Sequence, residues 1–318
     1  MMRRMRMAIG CVVWFALGCG GGGGTGDDDP TIDAPPGAVD APGGDAYVPP
    51  TGFTKLIGGS WTVPPGSNDR YHCARLTIAN DTYVTNIVAE APLGTHHTVL
   101  SISDGNTAGP DGEYACNVAE LGMVMLYASG LGTSPLDFPT DVSVKIPAGT
   151  QIHLNLHLFN ATDAPLSGTS AIHVKSQATP TPTLAEMVFA GTFRVLIPSN
   201  NQDTNIVGTC NNTRNFNLFA VWPHMHQLAR HQKVELIRGM QTTVLHDDAY
   251  SFEEQTYFPQ TPEVQVLSGD RIRVTCTYRN NTGQTVLWGE SSNEEMCFTG
   301  LYRYPAAGAD IFECSERF

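Results

Sequence analysis

The stretch 151-QIHLNLHLFN-160 is the clearest strand pattern in the sequence, and it decides the fold class. Apolar and polar residues alternate along it, and successive side chains of a strand point to opposite faces of its sheet. One face carries the aliphatic side chains of Ile152, Leu154, Leu156 and Leu158. The other carries His153, Asn155, His157 and Phe159. This alternation predicts a strand that packs one face against a core.

Similar short segments recur between turn residues over the rest of the chain. Strands are predicted at residues 76–81, 97–105, 141–149, 170–176, 193–199, 232–239 and 271–280. Their number and spacing predict an all-β protein built from sandwiches or barrels. Helical periodicity is poor, and one short turn of helix is expected only within residues 117–130.

Residues 176–187 (SQATPTPTLAEM) contain two prolines and several threonines between strand-like segments. A stretch of this composition is typical of a joint between domains. We therefore predict two β domains, at residues 51–178 and 185–318.

Residues 1–19 have the pattern of a signal peptide. Arg3, Arg4 and Arg6 precede an apolar run that is too short to span a bilayer as a mature helix. The run ends at Cys19 in a sequence similar to a bacterial lipobox, although Ala16 stands where leucine is usual. We expect lipidation of Cys19 and export to the periplasm or the cell surface of a bacterium. Plain secretion with another cleavage site is the alternative.

Residues 20–50 are rich in glycine, proline and alanine, and they include six aspartates and no basic residue. Such a composition offers almost nothing to bury and predicts a disordered tether between anchor and folded body. No apolar run of 18 or more residues follows, so the lipid is the only membrane attachment expected. The formal net charge of −13 argues against a nucleic-acid partner, since phosphate binding needs a basic face.

Six cysteines remain after Cys11 and Cys19 are set aside: Cys73, Cys116, Cys210, Cys276, Cys297 and Cys314. An even set in an exported chain predicts up to three disulfides, but the spacing does not choose among the fifteen possible pairings. Because no CxxC occurs, a cysteine zinc site or a redox dithiol is disfavoured.

Histidines form three groups that suit a metal, since neutral imidazole is a common ligand for copper and zinc. The adjacent residues His96 and His97 would point to opposite faces of a regular strand. They can share one ion only if the backbone there is irregular, which Gly94 makes plausible. His153 and His157 lie about 13 Å apart along a strand and are too distant to share one ion. The alternative for His153 and His157 is that they lie on a solvent-facing face of the strand and bind no metal.

The third group is His224 and His226, which share a strand face about 6.6 Å apart and can hold one ion together. His231 is expected at the surface. Met296 stands beside Cys297 in a polar turn. A methionine is usually a core residue, but as a ligand it is soft and favours Cu(I) over zinc.

Taken in order, HH, QIHLNLHLFN, PHMH and EEMC resemble the copper type II, ascorbate-dependent monooxygenases over about residues 60–318. The resemblance implies two jelly-roll-like β-sandwiches, each with one copper, facing across a cleft. It implies an electron-transfer copper on His96, His97 and His157. It implies a second copper on His224, His226 and Met296, where oxygen and substrate meet. It also implies the pairings Cys73–Cys116, Cys210–Cys314 and Cys276–Cys297, and gives His153 no ligand role.

The expected reaction is hydroxylation of an aliphatic or benzylic C–H bond of a small molecule, with O2 and ascorbate or another one-electron reductant. Members that act on peptidylglycine hold its carboxylate with an arginine before HxH and with an asparagine and a tyrosine after the methionine. Here Trp222, Phe298 and Gly300 occupy those positions. They are our substrate-pocket candidates, and they favour an apolar or aromatic substrate over peptidylglycine.

Three other functions compete with this one. A non-catalytic copper-storage lipoprotein would not need two dissimilar sites. A zinc hydrolase is disfavoured because HExxH is absent and methionine suits zinc poorly. A carbohydrate-binding jelly roll leaves the position of Met296 unexplained. The oligomeric state cannot be read from the sequence.

Overall fold

The computed structural model describes residues 47–317 apart from 106, 119, 121–123, 131 and 253, and it describes Asn68 and Asp69 by their backbone alone. Over the described residues the chain is all-β, with 22 strands and no helix, which confirms the predicted class. The part described therefore contains no helix able to cross a membrane. The predicted signal peptide, the lipidation of Cys19 and the tether up to residue 46 lie outside the described residues.

Eleven strands precede residue 185. They are β1 (Thr54–Val63), β2 (Ser67–Thr77), β3 (Thr82–Glu90), β4 (Thr95–Ile102), β5 (Gly112–Ala115), β6 (Val124–Gly130), β7 (Leu136–Asp137), β8 (Val142–Ile146), β9 (Gln151–Asn160), β10 (Leu166–Gln177) and β11 (Thr183–Leu184). One sheet has the order β1-β10-β3-β8-β11, with β7 also paired to β3. The other has the order β5-β2-β9-β4-β6.

Eleven strands follow residue 185. They are β12 (Glu186–Thr192), β13 (Leu196–Ile197), β14 (Asp203–Asn211), β15 (Phe216–His224), β16 (Ala229–Arg238), β17 (Gln241–Ala249), β18 (Phe258–Val266), β19 (Arg271–Arg279), β20 (Val286–Leu287), β21 (Cys297–Tyr304) and β22 (Cys314–Glu316). They form sheets of order β18-β15-β21-β12-β22 and β14-β19-β16-β17, and β13 pairs with β20.

The strand that opened the sequence argument is β9, with the bounds that the alternation predicts. Its aliphatic face is buried in a core to which both sheets before residue 185 contribute. The expected turn of helix is wrong over residues 124–130, where β6 pairs with β4. Its apolar side chains are buried by this sheet partner and by the core, and that tertiary burial decides the local structure.

Side chains of β15 alternate between two cores. Leu218 and Val221 belong to a core formed only by residues 188–314. Phe219 and Trp222 belong instead to the core that contains the β9 leucines. The sheet carrying β15 thus contributes to both cores. The boundary predicted between residues 178 and 185 stays a prediction, although no sheet combines described strands from before and after residue 185.

Three disulfides join Cys73 to Cys116, Cys210 to Cys314 and Cys276 to Cys297. The pairing that the resemblance implies is confirmed. The third bridge connects β19 to the first residue of β21, directly after Met296. It therefore fixes the start of the strand that follows this methionine.

The same asparagine turn ends β9 and follows β19. The side-chain oxygen of Asn160 accepts from the backbone N–H of Thr162 at 2.9 Å, and that of Asn280 accepts from Thr282 at 3.0 Å. Each asparagine amide also donates to carbonyls of its own turn and of a distant segment, and both side chains are buried. These N-x-T sequences are therefore structural turns, one after β9 and one after β19.

We predict that Asn280→Ala lowers the free energy of unfolding by about 2–3 kcal/mol. The alanine leaves the buried carbonyl of Ile197 without this donor and removes a second bond, to the carbonyl of Gln284. Urea unfolding measures the change, and Asn281→Ala at the exposed neighbouring position is the control. Equal stabilities of the two variants would contradict this role for the turn.

Candidate metal centre

A β-bulge brings the adjacent histidines to one side of the sheet. Thr95 pairs with Leu158 and His97 pairs with His157, so His96 is the extra residue between the two pairs. A bulge of this kind lets neighbouring side chains escape strict alternation. Gly94 precedes it with φ 100°, and a Cβ there would lie 2.7 Å from the indole of Trp61. The irregular backbone expected from the sequence is confirmed.

The three imidazoles of His96, His97 and His157 converge through their Nδ1 atoms. Nδ1 of His97 lies 3.1 Å from Nδ1 of His96 and 3.4 Å from Nδ1 of His157. Among the described His, Cys, Asp and Glu residues this is the one group of three or more whose potential ligand atoms all lie within 4.8 Å of one another. Two nitrogens bound to one ion at about 2.0–2.1 Å are separated by roughly 3.3–3.6 Å, so the cluster fits a copper or zinc ion.

The surroundings of His97 disfavour its protonated form. Burial lowers the pKa of His97 well below its ordinary value of 6.5, and the nearby His157, His96, His224 and His226 lower it further. Neutral imidazole is the form that binds a metal. Tyr71 stacks on the ring of His157 with centroids 4.7 Å apart, which restricts that ring.

His224 and His226 are oriented by hydrogen bonds from their Nδ1 atoms. His224 ends β15, and its Nδ1–H donates to the side-chain oxygen of Gln255 at 3.1 Å. The Nδ1–H of His226 donates to the backbone carbonyl of Glu294 at 3.0 Å. Since a carbonyl can only accept, these contacts assign the proton to Nδ1 and leave Nε2 of both rings available to a metal. The ring centroids are 5.4 Å apart.

Burial also keeps this second pair neutral. The pKa of His224 is lowered to about 3 by burial and by the neighbouring His226. That of His226 is lowered mainly by burial, against the opposing effect of its bond to Glu294.

The turn before Met296 is bound to the HxH segment. The carboxylate of Glu295 accepts from the backbone N–H of His226 at 2.9 Å and from that of Leu228 at 2.6 Å. Burial raises the pKa of Glu295 to about 8. Met296 is half-buried against the core that contains Trp222 and Phe298. Its backbone is thus held beside the HxH histidines, and its role as a ligand stays a prediction.

The two histidine groups are close neighbours. The ring of Phe252 lies 4.3 Å from the ring of His96 and 6.1 Å from that of His226, measured between centroids. One phenyl ring therefore contacts a histidine of each group.

The three substrate-pocket candidates lie on the sheet that carries His224. Phe298 is the cross-strand partner of His224, and Gly300 is that of Trp222. The indole of Trp222 stacks on His224 at 5.0 Å, and its buried Nε1 has no hydrogen-bond partner among the described residues. Phe298 packs among Phe189, Phe193 and Phe312. The surroundings are aromatic and uncharged, and a substrate role for these residues stays a prediction.

The remaining histidines of the sequence argument have structural partners. His153 is fully buried, and its Nε2 lies 2.9 Å from the hydroxyl of Tyr114. The alternative of a solvent-facing strand surface is wrong, because His157 is buried as well. His231 is partly exposed and lies 3.2 Å from a carboxylate oxygen of Asp247, in agreement with its expected surface position.

Sequence reasoning missed Phe252, Gln255 and the supporting role of Glu294 and Glu295. The glutamates stand next to Met296, so their position beside a candidate ligand was a usable signal. Phe252 and Gln255 lie 26 and 29 residues beyond His226 without a motif of their own. Only the fold reveals that they contact the histidines.

Two sequence comparisons support one family. Residues 183–317 match the family model described as "Copper type II ascorbate-dependent monooxygenase, C-terminal domain". The human protein named "Putative DBH-like monooxygenase protein 2" is 26% identical over 235 residues, which are 66% of this chain and 47% of that protein. The chain thus spans about half the length of this curated relative.

Solved structures give only remote likenesses. The major capsid protein P2 of bacteriophage PM2 covers 78% of this chain and 96% of its own, at 11% identity and a TM-score of 0.31. The VP2 subviral particle of infectious bursal disease virus covers 82% of this chain and 74% of its own, at 10% identity and a TM-score of 0.20. Scores this low support no conclusion about the fold.

The family match over residues 183–317 and the human relative both support the copper type II, ascorbate-dependent monooxygenase family, which the sequence motifs also resemble.

We predict that the metal-free protein loses stability as the pH falls below about 6.5. Burial lowers the pKa of His153 to about 4 and that of His224 to about 3, so the unfolded chain takes up protons that the folded chain does not. Each such histidine contributes a slope of about 1.4 kcal/mol per pH unit, for His153 between about pH 6.5 and pH 4. Urea unfolding in the presence of a chelator tests this, and His153→Gln should reduce the slope. Constant stability between pH 7 and pH 5 would contradict it.

Proposed function

We propose that the protein is a copper-dependent monooxygenase that hydroxylates an aliphatic or benzylic C–H bond of a small organic substrate. One atom of O2 enters the C–H bond, and the other leaves as water. Two electrons and two protons balance the reaction, and two one-electron oxidations of ascorbate or of a similar reductant supply the electrons.

The observation that carries this proposal is the convergence of three Nδ1 atoms at the bulge of β4, beside a second pair of neutral histidines. The family assignment gives copper as the metal. His96, His97 and His157 would hold one ion, and His224, His226 and Met296 would hold the other. Copper supplies one-electron chemistry and oxygen activation when bound.

The chain's own residues prepare both groups for this task. Burial keeps the imidazoles unprotonated, so no proton has to leave before a metal binds. Gln255 and the carbonyl of Glu294 orient the HxH rings, and Tyr71 restricts His157. Three imidazoles suit an ion that changes oxidation state, whereas a thioether beside two imidazoles favours the reduced ion.

The substrate class follows from the aromatic surroundings of His224. Trp222 and Phe298 are buried apolar neighbours of His224, and the side chains of Trp222 and Met187 pack closely over Gly300. Burying a carboxylate there would be costly, because none of the three candidates carries a charge to compensate it. An apolar or aromatic small molecule therefore fits better than peptidylglycine.

The wider assignment completes the proposal. The two copper sites belong to two jelly-roll-like domains, at residues 51–178 and 185–318, that face each other across a cleft. The protein is exported and attached through a lipid on Cys19 to a bacterial membrane. It takes no nucleic acid as a partner.

We predict that the purified protein binds two copper ions and that Met296→Ile abolishes turnover while the ion on His96, His97 and His157 remains. Isoleucine fills a similar volume but offers no sulfur ligand. Copper analysis and oxygen consumption with ascorbate measure the two effects, and Met240→Ile at a fully exposed position is the control. Unchanged oxygen consumption in Met296→Ile would show that this methionine is not a ligand.

We predict that His157→Ala stops electron supply and leaves substrate affinity unchanged. Single-turnover rapid mixing separates the two effects. His153→Gln, on the same face of β9, is the matched control because its ring belongs to the Tyr114 contact. Weaker substrate binding with normal electron transfer would argue against the role assigned to His157.

A further inference from the structure

Residues 251, 252 and 254–257, which we call the strap, lie against the outer strand of the sheet that carries His96 and His97. β6 is at the edge of that sheet. The backbone N–H of Gly130 donates to the carbonyl of Gln255 at 3.0 Å, and the hydroxyl of Thr133 donates to the same oxygen at 2.8 Å. The hydroxyl of Tyr257 accepts from the N–H of Ala128 at 3.0 Å and donates to the carbonyl of Ala128. The strap therefore covers an edge that would otherwise be open.

The same strap contacts both histidine groups. Its Gln255 side chain accepts from His224 at 3.1 Å. Its Phe252 ring lies 4.3 Å from His96 and 6.1 Å from His226.

Gln255 connects the cluster of His96, His97 and His157 to the pair of His224 and His226 through a short chain of contacts. Gly130 is the cross-strand partner of His97, and its N–H is bound by the backbone of Gln255. The side chain of that same Gln255 binds His224. Gln255 is 1% exposed, so water competes little for these bonds.

We propose that the strap sets the spacing between the two histidine groups, with Gln255 and Phe252 as its positioning residues and the β6 edge as its docking surface. The proposal rests on the proposed function for the identity of the ions that the histidines hold. Undocking the strap would release His224 from its hydrogen bond and remove the phenyl ring from between the groups.

Gly130 offers a way to disturb docking without touching a histidine. A Cβ at this position would lie 2.6 Å from the backbone nitrogen of Gln255 and 3.1 Å from its Cα. Because these are backbone atoms, the strap itself must move. Gly105 is the matched control, since a Cβ there meets nothing within 4 Å.

The first experiment uses the full, metal-free protein. Hydrogen exchange of the backbone N–H groups of residues 128 and 130, which donate to the strap, should become about tenfold faster or more in Gly130→Ala, the change expected for a loss near 1.4 kcal/mol, and it should stay unchanged in Gly105→Ala. Nitrogen-15 NMR of the histidine rings should show that His224 loses its fixed Nδ1–H form while His153 keeps its signals. Tyr257→Phe removes the bonds to Ala128 at almost constant volume and should show the same effects if Gly130→Ala does not fold.

The second experiment uses the protein loaded with two equivalents of Cu(II). Pulsed electron paramagnetic resonance should give one narrow copper–copper distance in the unmodified protein and a longer or broader distribution in Gly130→Ala and Phe252→Ala. Phe252→Leu, which keeps an apolar side chain, should restore part of the narrow distribution.

The results distinguish this proposal from the proposed function. A chain that binds no copper refutes the proposed function, and the metal-free experiment still decides the role of the strap. Unchanged exchange and unchanged His224 signals in both Gly130→Ala and Tyr257→Phe overturn the strap proposal. An unchanged copper–copper distance in Gly130→Ala overturns it as well, even if the protein hydroxylates its substrate.

Discussion

The bulge at His96 is the constraint on which the site depends. Without the extra residue, strand alternation would send His96 and His97 to opposite faces of β4, and three Nδ1 atoms could not meet beside His157. Glycine at position 94 permits the bulge, because its backbone adopts φ 100°. It also fits there because Trp61 leaves no room for a side chain. A local departure from regular sheet geometry thus creates a ligand set that neither strand could present alone.

Neutral, oriented imidazoles follow from how this region is buried. Burial disfavours the charged form of a histidine, and a carbonyl acceptor at Nδ1 then fixes which nitrogen keeps the proton. Burial disfavours protonation of both His97 and His224, although they lie on different sheets, and His224 also has such an oxygen acceptor. The Nδ1–H groups of His224 and His226 donate to oxygens of Gln255 and Glu294, so Nε2 is the available ligand atom of both rings. In the cluster of His96, His97 and His157 the converging atoms are Nδ1. The two groups are therefore chemically distinct before any metal binds.

The sequence predicts the class of fold and the histidines, and its limits have physical causes. The bounds of β9 were predictable because alternation along one strand is a local signal. The clustering of His96 with His97 was predictable because Gly94, just before them, permits an irregular backbone. β6 was not predictable, since burial by distant residues overrides a segment that also suits a helix. Phe252 is invisible for the same reason, because its contacts with His96 and His226 exist only once the strap lies on the edge of β6. The disulfide pairing came from the family resemblance, since spacing alone leaves all pairings open.

The central claim is that two copper ions occupy two different ligand sets within one chain. X-ray diffraction at the copper absorption edge, from crystals grown with Cu(I), tests it most directly. The account predicts two anomalous peaks, one among the Nδ1 atoms of His96, His97 and His157 and one bounded by His224, His226 and the sulfur of Met296. A single peak, or a second peak away from that sulfur, would contradict it.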